Sequence, residues 1–293
     1  MSACSHLMAL IGEGVRPSLT PPMHEAEGAA QGIPLVYRPF DLTEVGRDAE
    51  SVGDLLREGV QWGFDAFNVT HPCKRMVLDH LDEVDPVASR LGSVNTVLVR
   101  DGALIGHNTD RSGFASGLRY CLPSVDLTHV VQLGAGGAGA AVADALVGLG
   151  AERITIVDPD LGRARAVAAQ VRTGNPVDTA VPDDAPVAVA GASGLVNTSP
   201  IGMFTHPGTP IPVAALHPGL WVADIVYRPV RTALLDAARA RGCAVMEGGH
   251  MAVGQAADTF ELVTGRRADR ARMRAHFDAL VAKESDRGPA ASA

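Results

Sequence analysis

The sequence predicts an α/β protein of two domains, the second built on a doubly wound parallel sheet, with helices at the C-terminal end packing back on the first. Three observations carry this expectation. Short apolar runs alternate with helical stretches in two separate series, one starting at His6 and the other at Thr128. A glycine cluster stands between a strand and a helix at the head of the second series. The 293 residues exceed the roughly 100 to 200 of one ordinary domain.

In the first series, His6 to Gly12 is short, apolar and closed by glycine, as a buried parallel strand is. A loop with Pro17, Pro21 and Pro22 follows, then helix-forming residues from Pro22 closed by Gly32, then a strand over Leu35 to Phe40. Val52, Leu55, Leu56 and Val60 fall at helical spacing within Ser51 to Gly63, and Phe64 to Val69 reads as the next strand. Val94 to Val99 and Ala103 to Gly106 form a hairpin about Asp101-Gly102, a dipeptide suited to a tight turn.

In the second series, His129 to Leu133 is a strand running into glycines, and Ala140 to Leu149 is an alanine-rich helix. Ile154 to Asp158, Gly194 to Asn197 and Trp221 to Val226 are further strands with helical text between them. The chain turns helical again after Glu247, through Gln255 to Thr264 and from Asp269 to Lys283. The expected boundaries are 1–112, 113–250 and 251–283, with a disordered tail over 284–293.

Composition narrows the function. Lys and Arg number 25 against 33 Asp and Glu, a formal charge of -8, which disfavours a nucleic-acid or membrane-surface binder because either needs a basic face. Cys4, Cys73, Cys121 and Cys243 are scattered without metal-binding spacing, so they read as reduced thiols and no metal site is expected. No apolar run approaches the ~18 residues of a membrane span, and no secretion leader stands at the N-terminus. A cytoplasmic protein acting on a small molecule, as monomer or homodimer, is the expectation.

Gly134-Ala135-Gly136-Gly137-Ala138-Gly139 gives the small-molecule reading its first specific content. Isolated G-x-G-x-x-G runs arise by chance in a chain with 32 glycines, but this one follows a strand, opens a helix and precedes a second strand ending in Asp158. Gly134 permits the turn, Gly136 lets backbone approach a pyrophosphate, and Gly139 lets helix and strand pack closely. The helix N-terminus that follows offers N–H groups to phosphate, and Gly137 and Ala138 complete the cofactor loop. A carboxylate at Asp158 suits the two ribose hydroxyls of NAD and repels the 2'-phosphate of NADP. Asp160 adds another negative charge, while Arg163 is the nearby cation. NAD is therefore expected, with NADP as the alternative, and the fold is of the Rossmann type.

Polar residues gather where strands of the first domain end: Ser18 and Thr20, then Asn68, Thr70 and Lys74, then Asn95, then Asn108, Thr109 and Asp110. Hydroxyls, amides and one lysine suit a substrate rich in hydroxyls that also bears a carboxylate. At these positions the chain resembles the shikimate dehydrogenase family, and within it the NAD-using quinate/shikimate branch. Ser18-Leu19-Thr20-Pro21-Pro22-Met23-His24-Glu25 follows the family's first-loop pattern, with Thr20 and Glu25 standing for the commoner serine and asparagine. Asn68 to Lys74, Gly92 to Thr96, Gly106 to Asp110 and Met251 to Ala256 follow four further motifs, and the likeness spans Leu10 to Leu280.

The resemblance implies that Lys74 and Asp110 are the catalytic pair, that Ser18 and Thr20 hold the substrate carboxylate, and that Thr70, Asn95 and Gln255 hold ring hydroxyls, with Tyr227 at the cleft. It implies also that Thr198, Pro200, Met203 and Ile225 line the cofactor and that Gly248 and Met251 approach the nicotinamide. Asp158-Pro159-Asp160 stands where NADP-using members carry a basic stretch. The implied reaction is reversible oxidation of shikimate to 3-dehydroshikimate, or of quinate to 3-dehydroquinate, in which hydride leaves carbon and one positioned group takes the proton. The alternatives are an NADP-dependent biosynthetic shikimate dehydrogenase, an aminoshikimate dehydrogenase, and a redox-sensing dinucleotide-binding module without activity. Taken singly, Asn95 and Asp110 are also ordinary helix caps, His24 and His71 local packing and loop residues, and Arg266, Arg267, Arg270, Arg272 and Arg274 a solvated face.

Overall fold

A computed structural model describes residues 5–171 and 174–287; Cys4 and residues 288–293 of the expected tail lie outside the described residues, while 284–287 belong to a helix and not to a disordered tail. In chain order the elements begin β1 (His6–Gly12), α1 (Thr20–Ala30), β2 (Leu35–Asp41), α2 (Leu42–Val45), α3 (Val52–Gln61) and β3 (Ala66–Val69). Next come β4 (Glu83–Val84), α4 (Pro86–Leu91), β5 (Thr96–Arg100), β6 (Ala103–His107) and α5 (Thr109–Cys121). The second series is β7 (Val130–Leu133), α6 (Gly137–Leu149), β8 (Ile154–Val157), α7 (Leu161–Val171), β9 (Val177–Ala180), α8 (Ala185–Ala190), β10 (Gly194–Asn197) and β11 (Trp221–Asp224). The chain ends with α9 (Ala233–Ala240), β12 (Ala244–Met246), α10 (Gly248–Thr264) and α11 (Arg270–Arg287).

Two compact units result, Met1–Thr109 with Gln255–Ala293, and Asp110–Gly254, the second division falling inside α10. The first unit holds a six-stranded sheet ordered β2-β1-β3-β5-β6-β4. β1 pairs parallel with both β2 and β3, and the β5-β6 hairpin joins β3 antiparallel. Strand order therefore reverses between β1 and β3, leaving a crevice beyond their carboxyl ends. Ile11, Leu42, Val52, Leu56, Phe67 and Val69 pack one face, while Met8, Leu10, Tyr37, Leu98 and Val263 pack the other.

Polar groups fasten the rest of this unit. Glu27 of α1 is buried, accepts Arg272 at 2.7 and 2.8 Å, and also accepts the Asp269 N–H and Gln31. Burial pushes its carboxyl up, yet these donors, Arg272 foremost, bring it below the usual range. Arg272 thus ties α11 to α1, and Arg270 pairs with Asp258, which corrects the reading of the arginine cluster as a plain solvated face. Glu25 accepts the Tyr37 N–H at 3.0 Å, occupying a donor of the edge strand β2. His24, fully buried in α1, packs edge-on to Tyr37 as the local reading expects. Burial lowers its imidazole to about 4.

The second unit is the doubly wound sheet, ordered β12-β11-β10-β7-β8-β9 with every pair parallel. Its strands are buried end to end at the centre, matching their continuous apolar text. Leu133, Val157, Leu195, Val222, Leu234 and Leu235 are among its core residues. Strand order reverses between β7 and β10, again opening a crevice at their carboxyl ends. Among the described residues no helix is long and apolar enough to cross a membrane, and no His, Cys, Asp and Glu group could hold a metal ion.

Candidate active site

The glycine turn sits at the reversal point of the second sheet. Gly134 has φ +101°, where a side chain is strained, and a Cβ there would stand 2.9 Å from the Ser199 N and the Thr198 carbonyl carbon. At Gly134 the β7 and β10 loops consequently approach backbone to backbone. Thr198 fastens the contact, its hydroxyl lying 2.9 Å from the Leu133 carbonyl and 2.8 Å from that of Gly134. A Cβ on Gly139 would stand 2.6 Å from the Gly134 carbonyl oxygen, so α6 closes on β7 only because this residue is glycine.

Gly136 differs from both. It is the N-cap of α6, it is exposed, and a Cβ on it would meet nothing within 4 Å. Protein packing gives no reason for glycine there, whereas close approach of a pyrophosphate to the α6 N-terminus does. On this observation the residues Gly134 to Gly139 fit a dinucleotide.

Asp158 ends the β8 text and is 5 % exposed. Its Oδ2 accepts the Ala135 N–H at 2.8 Å and its Oδ1 accepts the Asp160 N–H at 2.9 Å. Arg163 lies within ion-pair distance of Asp158 at 3.6 Å and of Asp160 at 3.8 Å. The environment expected to receive the 2'-position of a ribose therefore carries two carboxylates sharing one guanidinium. Asp158 also shapes the glycine turn, which sequence reading missed.

A further buried carboxylate, Asp224, closes β11 as Asp158 closes β8. It accepts Asn197 at 2.9 Å, the Val226 N–H at 3.0 Å and the Thr232 hydroxyl at 2.7 Å. Burial raises this carboxyl to about 6 despite those three donors. Asn197 in turn accepts Ser199 and donates to the Ile201 carbonyl. Asp224 thus joins the Thr198, Pro200 and Met203 loop to the Ile225 and Tyr227 loop. By bonding Val226 it also ends the strand two residues before the expected Val226. Ile201, Met203 and Phe204 are exposed on the first of these loops. At the head of α10, a Cβ on Gly248 would stand 2.4 Å from the Val226 carbonyl oxygen, so this helix starts directly against the second loop, and Met251 is buried one turn on.

In the first unit the polar residues collect at one end of its sheet. Ser18 and Thr20 follow β1, and Thr70 and Lys74 follow β3, the two strands flanking the reversal of strand order. These loops are laced together: the Thr70 N–H reaches the Ile11 carbonyl at 2.9 Å, the Glu13 N–H reaches that of His71 at 3.0 Å, and a Cβ on Gly12 would stand 2.4 Å from the Thr70 methyl. Buried Asp41 holds the first loop by accepting the N–H groups of Gly14 and Val15. Because β5 runs antiparallel to both β3 and β6, the start of β5 and the end of β6 return to this same end. Val69 N–H donates to the Asn95 carbonyl, Val94 N–H to that of Lys74, and Asn95 N–H to that of His107.

Ser18, Thr20, Thr70 and Lys74 are partly exposed, whereas Asn95 is buried. Gln255, partly exposed, belongs to the same unit through the C-terminal part of α10. Asp110 lies in the first turn of α5 and is 7 % exposed. Asn95 caps the start of α5, its Oδ1 accepting the Thr109 N–H at 2.8 Å, and its amide also meets the Thr109 and Thr96 hydroxyls.

Comparison with known proteins accords with this geometry. Residues 10–97 match the family described as shikimate dehydrogenase substrate binding domain. The chain is 54% identical over 283 residues to a shikimate dehydrogenase (NADP(+)) of Pseudarthrobacter chlorophenolicus, covering 96% of this chain and 97% of that one. It is 47% identical over 285 residues to a quinate/shikimate dehydrogenase (NAD(+)) of Corynebacterium efficiens, covering 96% and 100%. Among solved structures it is similar to quinate dehydrogenase from Corynebacterium glutamicum in complex with NAD, with a TM-score of 0.89, 45% identity and coverage of 94% and 99%.

Proposed function

The chain belongs to the shikimate dehydrogenase family, and we propose that it is an NAD-dependent quinate/shikimate dehydrogenase. An oxidoreductase acting on the CH–OH group of a hydroxylated ring acid with a pyridine nucleotide is common ground for its relatives. They are named for either cofactor, so the choice of NAD rests on this chain's own residues. The observation that carries it is Asp158, a carboxylate at the end of β8 with Asp160 beside it and Arg163 drawn to both. That arrangement accepts ribose hydroxyls and opposes a 2'-phosphate.

When bound, the nicotinamide supplies the hydride acceptor. The chain's residues do the remaining work. Ser18 and Thr20 hold the substrate carboxylate, while Thr70, Asn95 and Gln255 orient the ring hydroxyls, with Tyr227 at the cleft. Lys74 Nζ takes the hydroxyl proton as hydride leaves the adjoining carbon, and Asp110 aligns the ammonium for the reverse step. Thr198, Pro200, Met203, Ile225, Gly248 and Met251 would line the dinucleotide, and Gly136, Gly137 and Ala138 would hold its pyrophosphate. Incubating the protein with shikimate or quinate and following nicotinamide absorbance, with the product identified by NMR, tests the reading; no turnover of either acid with either cofactor contradicts it.

A further inference from the structure

Behind Asn95 lies a buried cluster of hydroxyls that the substrate assignment does not use. Thr96, Thr109 and Thr259 bring their oxygens together, with Thr259 Oγ1 3.1 Å from that of Thr96 and 3.2 Å from that of Thr109. All three side chains are nearly or fully inaccessible, Thr109 the most exposed at 3 %. They come from β5, the start of α5 and the middle of α10.

Proton counting gives the cluster a direction. A backbone N–H only donates, so the Asn95 atom 2.8 Å from the Thr109 N–H is Oδ1. Nδ2 then donates to Thr109 Oγ1 at 3.0 Å. Thr96 Oγ1 accepts Asn68 Nδ2 at 2.9 Å and spends its one proton on Asn95 Oδ1 at 3.1 Å. Thr109 Oγ1 has two acceptors for its proton, Thr259 Oγ1 at 3.2 Å and Asn95 Oδ1 at 3.3 Å, the second already occupied by the Thr109 N–H and Thr96; with the Thr109 proton on Thr259, the Thr259 proton goes to Thr96. The result is a closed circuit from Asn95 Nδ2 through Thr109, Thr259 and Thr96 back to Asn95 Oδ1. Asn68 is fixed in its turn, donating to the Asn95 carbonyl at 3.0 Å and accepting the Tyr37 hydroxyl. Circuits of this kind polarise one another in a dry interior, and breaking one member leaves buried donors and acceptors unmatched.

We propose that Thr259 is a positioning residue, its hydroxyl closing the circuit that sets the Asn95 amide and ties it to the helix carrying Gln255. Thr259 follows Gln255 by four residues, so the two share a face of α10. One hydroxyl thereby links two of the groups assigned to ring hydroxyls, and Thr109, its hydrogen-bonding neighbour, directly precedes Asp110 in the chain. The inference rests on the functional reading above for its kinetic consequence and on geometry alone for the circuit.

The test compares Thr259→Val, which keeps the shape and removes the hydroxyl, with Thr259→Ser, which keeps the hydroxyl. Thr259→Val should raise the KM for shikimate and quinate about tenfold, the scale of one buried hydrogen bond lost with its partners left unmatched. It should change kcat less and leave the Kd for NAD unaltered, and Thr259→Ser should restore KM to within about twofold of the wild type. A merely structural role would lower Tm without that split between KM and kcat. The Asn95 side-chain amide resonances supply a second readout, expected to be slow to exchange with solvent in the wild type and the serine variant and fast in the valine variant. Wild-type KM in Thr259→Val, or a serine variant as impaired as the valine one, overturns the proposal. A wild type that turns over neither acid overturns the functional reading instead, and the amide exchange rates then decide on the circuit by themselves.

Discussion

The Asp158 carboxylate accepts the Ala135 N–H at 2.8 Å, so the acid at the end of β8 and the glycine turn at the end of β7 form one assembly. On the proposed reading, cofactor choice and loop shape depend on the same side chain. Asp158→Ala removes both the ribose acceptor and the partner of a buried N–H, and should weaken NAD by roughly tenfold or more. The ratio of NADP to NAD activity should rise, since the repulsion goes as well. Titration of each dinucleotide against the variant checks this, and an unchanged ratio would remove Asp158 from cofactor selection.

Two glycines of the same turn should behave differently. Gly139→Ala pushes a Cβ to 2.6 Å from the Gly134 carbonyl and should lower Tm by roughly 5 °C, as overpacking does, along with dinucleotide binding. Gly136→Ala meets no protein atom within 4 Å, so Tm should fall only about 2 °C, the cost of alanine at a helix N-cap, while NAD affinity drops at least about tenfold. Calorimetry with and without NAD separates the two; equal loss of binding and of Tm in both variants would mean that Gly136 is structural.

Lys74→Met should lower kcat by at least ~100-fold, the low end for lost acid-base help, with NAD binding still measurable. Turnover at the wild-type rate would take Lys74 out of the mechanism.

Stability should depend on His24 in mild acid. Burial holds its imidazole at about 4 against an ordinary 6.5, so between these values the unfolded chain takes up a proton that the folded one refuses. Its contribution is intact above pH 6.5 and is lost as pH falls to about 4, a change of order 3 kcal/mol. Asp224 acts oppositely: raised to about 6 from 3.8, it contributes fully below 3.8 and loses that contribution as pH rises through 6. Urea unfolding at pH 4.5 and 6.5, values chosen to span roughly this window, should show less acid sensitivity in His24→Gln and more in Asp224→Asn. Identical pH slopes in wild type and His24→Gln would contradict the assignment.

Strong periodicity and turn chemistry made most of this legible beforehand. β1, α3, β7, α6 and β8 lie close to where apolar spacing puts them, and the hairpin about Asp101-Gly102 forms as its dipeptide requires. β4, β9 and β12 escaped notice because each is short, only partly buried and at a sheet edge, where the alternation that marks a strand is weakest. α1 starts at Thr20 rather than Pro22, because its two prolines occupy the first turn, and α11 runs to Arg287 past the expected Lys283. The residues of the proposed site were readable as motifs. Asp41, Asp224 and Thr259, which hold those groups from behind, were not, since their partners lie far away in sequence. Asp224 alone left a signal, an acid closing an apolar strand just as Asp158 does.

The central claim, NAD-dependent oxidation of a hydroxylated ring acid, is tested most directly by kcat/KM for shikimate and for quinate with NAD and with NADP. The account predicts turnover of at least one acid with NAD favoured by roughly tenfold or more, the scale of one charged group's discrimination. Equal or greater kcat/KM with NADP would contradict it.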